Sequence, residues 1–369
     1  MKKFTVIGIT FIFVLFSSIS CERNLVAPKA GKAKAQDMLK LIPKDAIAVF
    51  FIDIHRVMTI EFINNLIKEK ESDETSDELT NFQEFKAKTG IDPQKDINFI
   101  VGAITGKTEK GKEEGVGIIN LTYNKDLLLS LIKEELAKEK EEEHEKQAEE
   151  EHEMIEEEYN GFIIYTVREE CEEEEEEHGE EEKEHGEKHE KGGSFSFLDE
   201  SNIVAGNENE VKSVIDVLQK KRENVFKNEE LSALLTKTNK DALFWGAILI
   251  LPEAINKVIS ENPQLSILEA VNAVSMYFDY KNKNIIAEIK LMSSDPMKNQ
   301  ELADNLNGFK SMFSTVQIQD LNMGEILDKI EITSGPDHVK IYASFSEGLP
   351  KDIIDKLKME KSEEEKEKY

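Results

Sequence analysis

Lys44-Asp45-Ala46-Ile47-Ala48-Val49-Phe50-Phe51-Ile52-Asp53 is a polar start followed by an unbroken apolar run rich in β-branched and aromatic side chains. The run lacks helical spacing and stops at an aspartate, so it predicts a well-buried strand. The pattern returns much later, where Lys240-Asp241-Ala242 opens Leu243-Phe244-Trp245-Gly246-Ala247-Ile248-Leu249-Ile250, again followed by helical spacing. A three-residue match is weak by itself. The order of elements downstream also repeats, and together they imply two related halves with a boundary near residues 222–230.

In the first half, helical spacing covers Val57 to Lys70 and about Glu78 to Thr89, with Gly90 and Pro93 as stop signals. Ile97–Thr105 and Gly115–Tyr123 read as paired strands, and Lys125–Lys140 as a helix with an apolar side from Leu127 to Leu136. Asn160-Gly161 signals a type I′ turn before a strand at Phe162–Val167. A hairpin, Ser194–Leu198 with Asn202–Ala205, and a helix at Glu208–Lys221 close this half.

The second half runs from the Leu243 strand through helices near Glu253–Ser260 and Leu265–Ala273 to a hairpin, Val274–Tyr280 with Asn284–Met292, turning at Lys281-Asn282-Lys283. Helices follow at Met297–Thr315 and Leu321–Ile330. A last hairpin, Glu331–Thr333 with His338–Phe345, precedes a helix at Pro350–Lys358. Tight turns between neighbouring strands imply antiparallel pairing. The expected class is therefore α+β: two related halves, each an antiparallel sheet of hairpins covered by helices on one face. The expected segments are a signal peptide at 1–20, a lipid anchor and tether at 21–36, a first half at 37–225 with an acidic insert at about 139–193, a second half at 226–360, and a charged tail at 361–369.

The Ile-Pro-Lys-Asp-Ala strand start, Gly90-Ile91-Asp92-Pro93 leading to Asp96 and a strand, and Tyr159-Asn160-Gly161 before another strand resemble uncharacterised bacterial extracytoplasmic proteins. The resemblance lies mainly in the first half. It implies an antiparallel α+β body and carries no activity.

The N-terminus says where the protein works. Met1-Lys2-Lys3, an apolar run from Phe4 to Phe16 and Ser17-Ser18-Ile19-Ser20-Cys21 form an export signal too short to span a bilayer stably. It resembles a bacterial lipoprotein signal, with Ser18 where such signals prefer Leu. That resemblance implies cleavage before Cys21 and acylation of its thiol; ordinary cleavage after Ser20, which would release a soluble protein, is the alternative. Glu22 in place of Asp leans toward the outer membrane, and the polar stretch to Gln36 reads as a tether.

Length allows two domains, and 39% hydrophobic residues suffice for their cores. The net charge of -29 is concentrated: Glu134–Lys191 holds about 28 Glu against about 7 Lys and Arg, so the rest of the chain is only mildly acidic. Such a balance excludes nucleic acid as a partner and electrostatic docking on anionic lipid. Membrane attachment then rests on Cys21. Cys171, the second of two cysteines, lies in a Glu run that suppresses thiolate formation.

Five of the seven histidines, His144, His152, His178, His185 and His189, fall in the acidic insert. Imidazole among carboxylates suits zinc, nickel or copper. On a helix through Ala148, His144 and His152 would be about 12 Å apart, too far to share an ion. His185 and His189 have chelating i, i+4 spacing, but Gly186 opposes a helix there. Glu169–Gly193 reads as the solvated tip of an enlarged hairpin. Its composition resembles the charged histidine-rich loops of periplasmic zinc-binding proteins, whose structural site needs more body histidines than His55 and His338.

Catalytic motifs fail on inspection. Gly106-Lys107-Thr108 lacks the glycine that a phosphate loop requires at position 101, which is Val101; Glu156 replaces the second histidine of a zinc-protease pattern begun by His152-Glu153; and there is no Gly-x-Ser-x-Gly. Trp245 belongs to an apolar strand and reads as core. The expectation is a non-enzymatic lipoprotein that binds or scaffolds at the cell envelope, periplasmic side or outer membrane, with no cofactor and an unidentified envelope protein or ligand as partner. Low-affinity divalent metal capture by the insert is the alternative.

Overall fold

The computed structural model describes residues 32–65, 84–107, 113–146, 152–169, 191–315, 317–318 and 321–349. Helices and strands are mixed, and twelve strands form a large antiparallel sheet beside a two-stranded ribbon. The sequence had implied two smaller sheets. The difference traces to the opening strand, β1 (Ala48–Ile52), which is grouped with the later part of the chain: one compact unit comprises residues up to Ala46 with Asp53–Val225, the other Ile47–Ile52 with Phe226 onward.

The first unit starts with α1 (Lys32–Leu39) and α2 (Ile54–Val57). A helical turn over 84–89 ends at Gly90, whose φ of 71° suits glycine. Pro93 opens α3 (Pro93–Asp96) at its first turn, where proline's missing N–H costs nothing, and Asp92 caps it by accepting from the Gln94 amide at 3.2 Å. The sheet strands are β2 (Ile97–Lys107), β3 (Glu113–Leu121), β4 (His152–Tyr159), β5 (Phe162–Glu169), β6 (Lys191–Phe197) and β7 (Asn202–Gly206). Their spatial order is β2-β3-β7-β6-β5-β4. Between β3 and β4 lies α4 (Lys125–Lys146), and after β7 comes α5 (Glu208–Leu218).

Three departures from expectation occur here. β4 occupies sequence read as acidic insert; it pairs with β5 through Asn160 and Gly161, whose φ values of 52° and 81° give the predicted type I′ turn. As the last strand in the order, β4 can carry outward glutamates, which protect an open edge. Second, β5 and β6 pair from Ile164↔Ser196 out to Glu169↔Lys191, so Glu169 and Lys191–Gly193 belong to the ladder. Third, a polar chain crosses the unit: Asn98 donates to Asn120 at 2.8 Å, Asn120 to Asn202 at 2.8 Å, and Asn202 to Asp199 at 2.7 Å. Asn120 and Asn202 are buried, and each finds its partner on the next strand or turn.

The second unit adds α6 (Glu229–Lys237), which the sequence reading missed, then β8 (Phe244–Leu249), α7 (Pro252–Glu261) and a 3-10 segment, Pro263–Ala270. There follow β9 (Ala273–Lys281), β10 (Asn284–Met292), α8 (Pro296–Phe313), β11 (Gln317–Ile318), β12 (Leu321–Asn322), α9 (Met323–Leu327), β13 (Ile330–Ser334) and β14 (His338–Ser346). α9 is shorter than the helix expected over Leu321–Ile330. The strand order is β13-β14-β10-β9-β8-β1.

β1 and β8, the two strands that begin with Lys-Asp-Ala, pair with each other, from Ala48↔Ile248 to Ile52↔Phe244. Phe51 stacks on Trp245 at 5.6 Å. Gly246 makes room for Phe50, because a Cβ there would stand 3.0 Å from the Phe50 ring. Neighbouring Ala48 and Val49 are both buried, so the sheet is covered on both faces here rather than on the single face expected. The predicted helix Pro350–Lys358 lies outside the described residues.

Candidate binding site: an apolar groove in the second unit

Register places the apolar residues of four strands in rows on one face. Met276, Ile289, Ile341 and Ile332 form one row; Phe278, Ala287, Ala343 and Ile330 the next; Tyr280, Ile285 and Phe345 a third. Side chains alternate across a strand, so these rows share a face, while Tyr277, Glu288 and Tyr342 share the other. One end of the apolar face is sealed by a cluster of Val271, Leu302, Ala303 and Val339. The other end stays partly open, with Phe278 41% exposed.

α8 borders the opening. Asp295 caps it by accepting from the Met297 and Lys298 amides, and Pro296 fits the first turn. Four polar contacts then attach it to the edge strand β13 and its turn. Asn299 donates to the Gly335 carbonyl at 3.2 Å, Asn307 to the Ile332 carbonyl at 3.3 Å, Lys310 to the Ile330 carbonyl at 2.6 Å, and Ser334 to the Gln300 side chain at 2.6 Å. Helix side chains thus take up carbonyls that an edge strand otherwise presents to solvent or to another chain.

Phe309 and Lys310 stand three and four residues after Leu306, and Phe313 four and three residues after them, so all four lie on one side of α8 and line the pocket with Met323 and Leu327 of α9. With Ile330, Ile332 and Ile341 they enclose a pocket of about 390 Å³, within the size range of small-molecule sites. Lys310 is the one charged residue among these lining residues. Phe309, Met312 and Phe313 remain 47%, 57% and 51% exposed, an apolar concentration larger than scattered surface residues require.

Charged groups beyond the groove fix its frame. Lys237 lies 2.7 Å from Asp337, and this bond, with that of His338 at 2.8 Å, holds the Asp337 carboxyl down at about 2. At the far end of the sheet the Tyr280 hydroxyl bonds Glu347 and, with Lys283 at 3.3 Å, lowers that carboxyl.

The histidines of the proposed metal insert are placed only in part. His144 lies on α4 and His152 opens β4 opposite Glu169, so the continuous helix considered through Ala148 is not formed. His178, His185, His189 and Cys21 lie outside the described residues. In the body, His55 Nδ1 is buried without a hydrogen-bond partner among the described residues, whereas His338 Nδ1 sits 2.8 Å from Asp337. Elsewhere in the first unit, ligand oxygens of Glu84, Glu134 and Glu135 lie within 4.8 Å of one another. Two ammonium groups already serve this exposed cluster. Lys88 lies 2.6 Å from Glu84 and 2.7 Å from Glu134, and Lys138 is 3.0 Å from Glu135. The Lys88 hydrogen bonds lower the Glu84 and Glu134 carboxyls. The first unit also holds an aromatic group, Tyr123, Tyr165, Phe195 and Phe197, with Lys125 5.0 Å from the Phe197 ring. Burial raises the Tyr123 hydroxyl to about 12, and it donates to the Asp199 carbonyl.

The groove was missed in the sequence because strand alternation there reads as ordinary core. The available signal was α8, where Met297, Phe309, Met312 and Phe313 exceed the width of one buried stripe.

No curated protein matches the chain. Crystal form III of TP0453 is similar at 12% identity and a TM-score of 0.39, over 84% of this chain and 94% of that one. Crystal form IV of TP0453 is similar at 11% identity and a TM-score of 0.40, over 86% and 95%. A family model described as protein of unknown function (DUF3352) matches residues 4–318, and the chain belongs to that family.

Proposed function

We propose that this is a non-enzymatic binding protein of the bacterial cell envelope, anchored by a lipid on Cys21 and taking an apolar ligand or partner into the groove beside α8. The observation that carries the binding role is the half-open apolar face lined by Phe278, Ile341, Phe309 and Phe313. Burying such a face is favourable by about 25 cal/mol per Å² of apolar surface, so an occupant gains affinity there. The anchor rests on the signal ending at Cys21, and among the described residues no helix is long and apolar enough to cross a membrane.

The test has two arms. Envelope fractionation should find the wild-type chain with membranes, carrying acyl mass at Cys21, and Cys21→Ser in the soluble fraction. The neutral dye Nile red should bind saturably to the full chain, and Phe309→Glu with Phe313→Glu should reduce that binding about tenfold. Soluble, unmodified wild-type protein would refute the anchor; dye binding unchanged in the double variant would refute the groove.

A further inference from the structure

We infer that the occupant of the groove is a single-chain amphiphile with an anionic head, a long-chain carboxylate, whose tail fills the pocket and whose head meets Lys310. This rests on reading the groove as the binding site and adds the chemistry of its ligand.

Two features of the pocket select that class. Its wall is apolar on every side, from Leu306, Phe309 and Phe313 on α8, through Met323 and Leu327 on α9, to Ile330, Ile332 and Ile341 on the sheet, and its volume of about 390 Å³ suits one chain. The exception is the Lys310 ammonium. Lys310 makes one hydrogen bond, to the Ile330 carbonyl at 2.6 Å, and pairs with no carboxylate among the described residues. An ammonium has three donors, so two remain for a ligand. A cation seated in an apolar wall discriminates: a neutral hydrocarbon leaves it unpaired, a cationic amphiphile is repelled, and a carboxylate supplies a charge-assisted hydrogen bond. Lysine commonly lays its apolar stem along such a surface and leaves its ammonium to a polar partner, and Lys310 lines this pocket with its ammonium on the Ile330 carbonyl.

The experiment uses the full chain with Cys21→Ser, so that its own acyl anchor cannot compete. Palmitate and hexadecanol, which share a tail and differ in the head, are titrated by calorimetry at pH 7.5 below palmitate's micelle concentration. The variants are Lys310→Met, which keeps the stem, and Met323→Trp, which fills the pocket from the short helix; thermal melts check that both are folded. Palmitate should bind one to one, and Lys310→Met should weaken it about tenfold or more while changing hexadecanol less than about threefold. Met323→Trp should abolish both.

Equal binding of palmitate and hexadecanol, unaffected by Lys310→Met, would overturn the anionic head. Nile red bound at the groove with neither amphiphile binding would overturn the amphiphile and leave the binding-site reading standing. A dimer broken by Phe309→Glu, with no palmitate bound, would assign the groove to a second copy and overturn the proposal. Failure of Nile red as well would remove the binding-site reading with it.

Discussion

The two units use similar strands and close them differently. In the first, the eleven-residue α5 buries Glu210, Val211, Ser213, Val214, Ile215 and Val217 against the sheet. In the second, the eighteen-residue α8 buries only Asn299, Leu302 and Ala303, and the ten-residue α7 buries none. The strands of both units offer an apolar face, so patterning alone does not decide whether a face becomes core or surface. The number of helical positions that reach the sheet decides it. α8 uses Asn299, Gln300, Asn307 and Lys310 to hold a strand edge, and those contacts set the helix at the margin of the apolar rows.

The sharpest way to break this comparison is to truncate one side chain in each unit. Ile215→Ala, at a fully buried position, should cost about 2–5 kcal/mol, whereas Phe313→Ala at the groove should stay within about 0.5 kcal/mol. Urea unfolding followed by circular dichroism measures both. Trp245, the single tryptophan, is buried on Phe51 and reports the second unit by fluorescence. A Phe313→Ala loss as large as that of Ile215→Ala would mean the groove is core.

A second, smaller effect tests the edge of the first unit. Replacing 170–190 with a short turn should leave the melting temperature within about 2 °C, since loop closure entropy changes only as about (3/2)RT ln n. Replacing Glu169–Gly193 should lower it by several degrees, about 4 °C or more, because it also removes the pairs Glu169↔Lys191, Arg168↔Gly192 and Val167↔Gly193. Equal melts for the two deletions would show that these pairs contribute nothing.

The smallest effect comes from the acid sealed under α5. Burial raises the Glu210 carboxyl above its ordinary value of 4.5, and its Oε2 has no hydrogen-bond partner among the described residues. The folded state therefore favours the protonated form; its stabilising contribution is complete below about pH 4.5 and is lost as pH rises through the raised folded value. Glu210→Gln should raise the melting temperature by about 2–4 °C at pH 7, with the gain fading below pH 4.5. A gain that grows on acidification would reverse the assignment.

Local chemistry made the hairpins legible. Asn160-Gly161 could be read as a turn because both residues accept positive φ, and Ile47–Ile52 as a strand because its residues pack on a pleated surface. Lys281-Asn282-Lys283 was placed as a turn from its neighbours, and Asn282 and Lys283 indeed have φ of 51° and 62°. β4 was hidden because Glu153 and Glu156–Glu158 look like solvated loop when the partner β5 is not in view. The β1–β8 ladder was hidden for a related reason: pairing between distant segments leaves no mark on either alone. The groove was legible least of all, since Ile341 or Phe278 carries the same letter whether a helix lies over it or beside it.

The pairing of β1 with β8 also sets a timetable. The chain emerges N-terminus first, so Val49 and Phe51 exist long before Ala247 and Trp245, their partners some two hundred residues later. Until then the β8 side of this hydrophobic strand is unpaired, a state open to mispairing or capture by a chaperone. Cutting between Val225 and Phe226, the natural seam by sequence, would produce a C-terminal fragment missing the strand that pairs with β8, with Trp245 stripped of its stacking partner. Supplying residues 44–53 in trans as a peptide would then act as a splint, and recovery of buried tryptophan emission would time the closing of that gap.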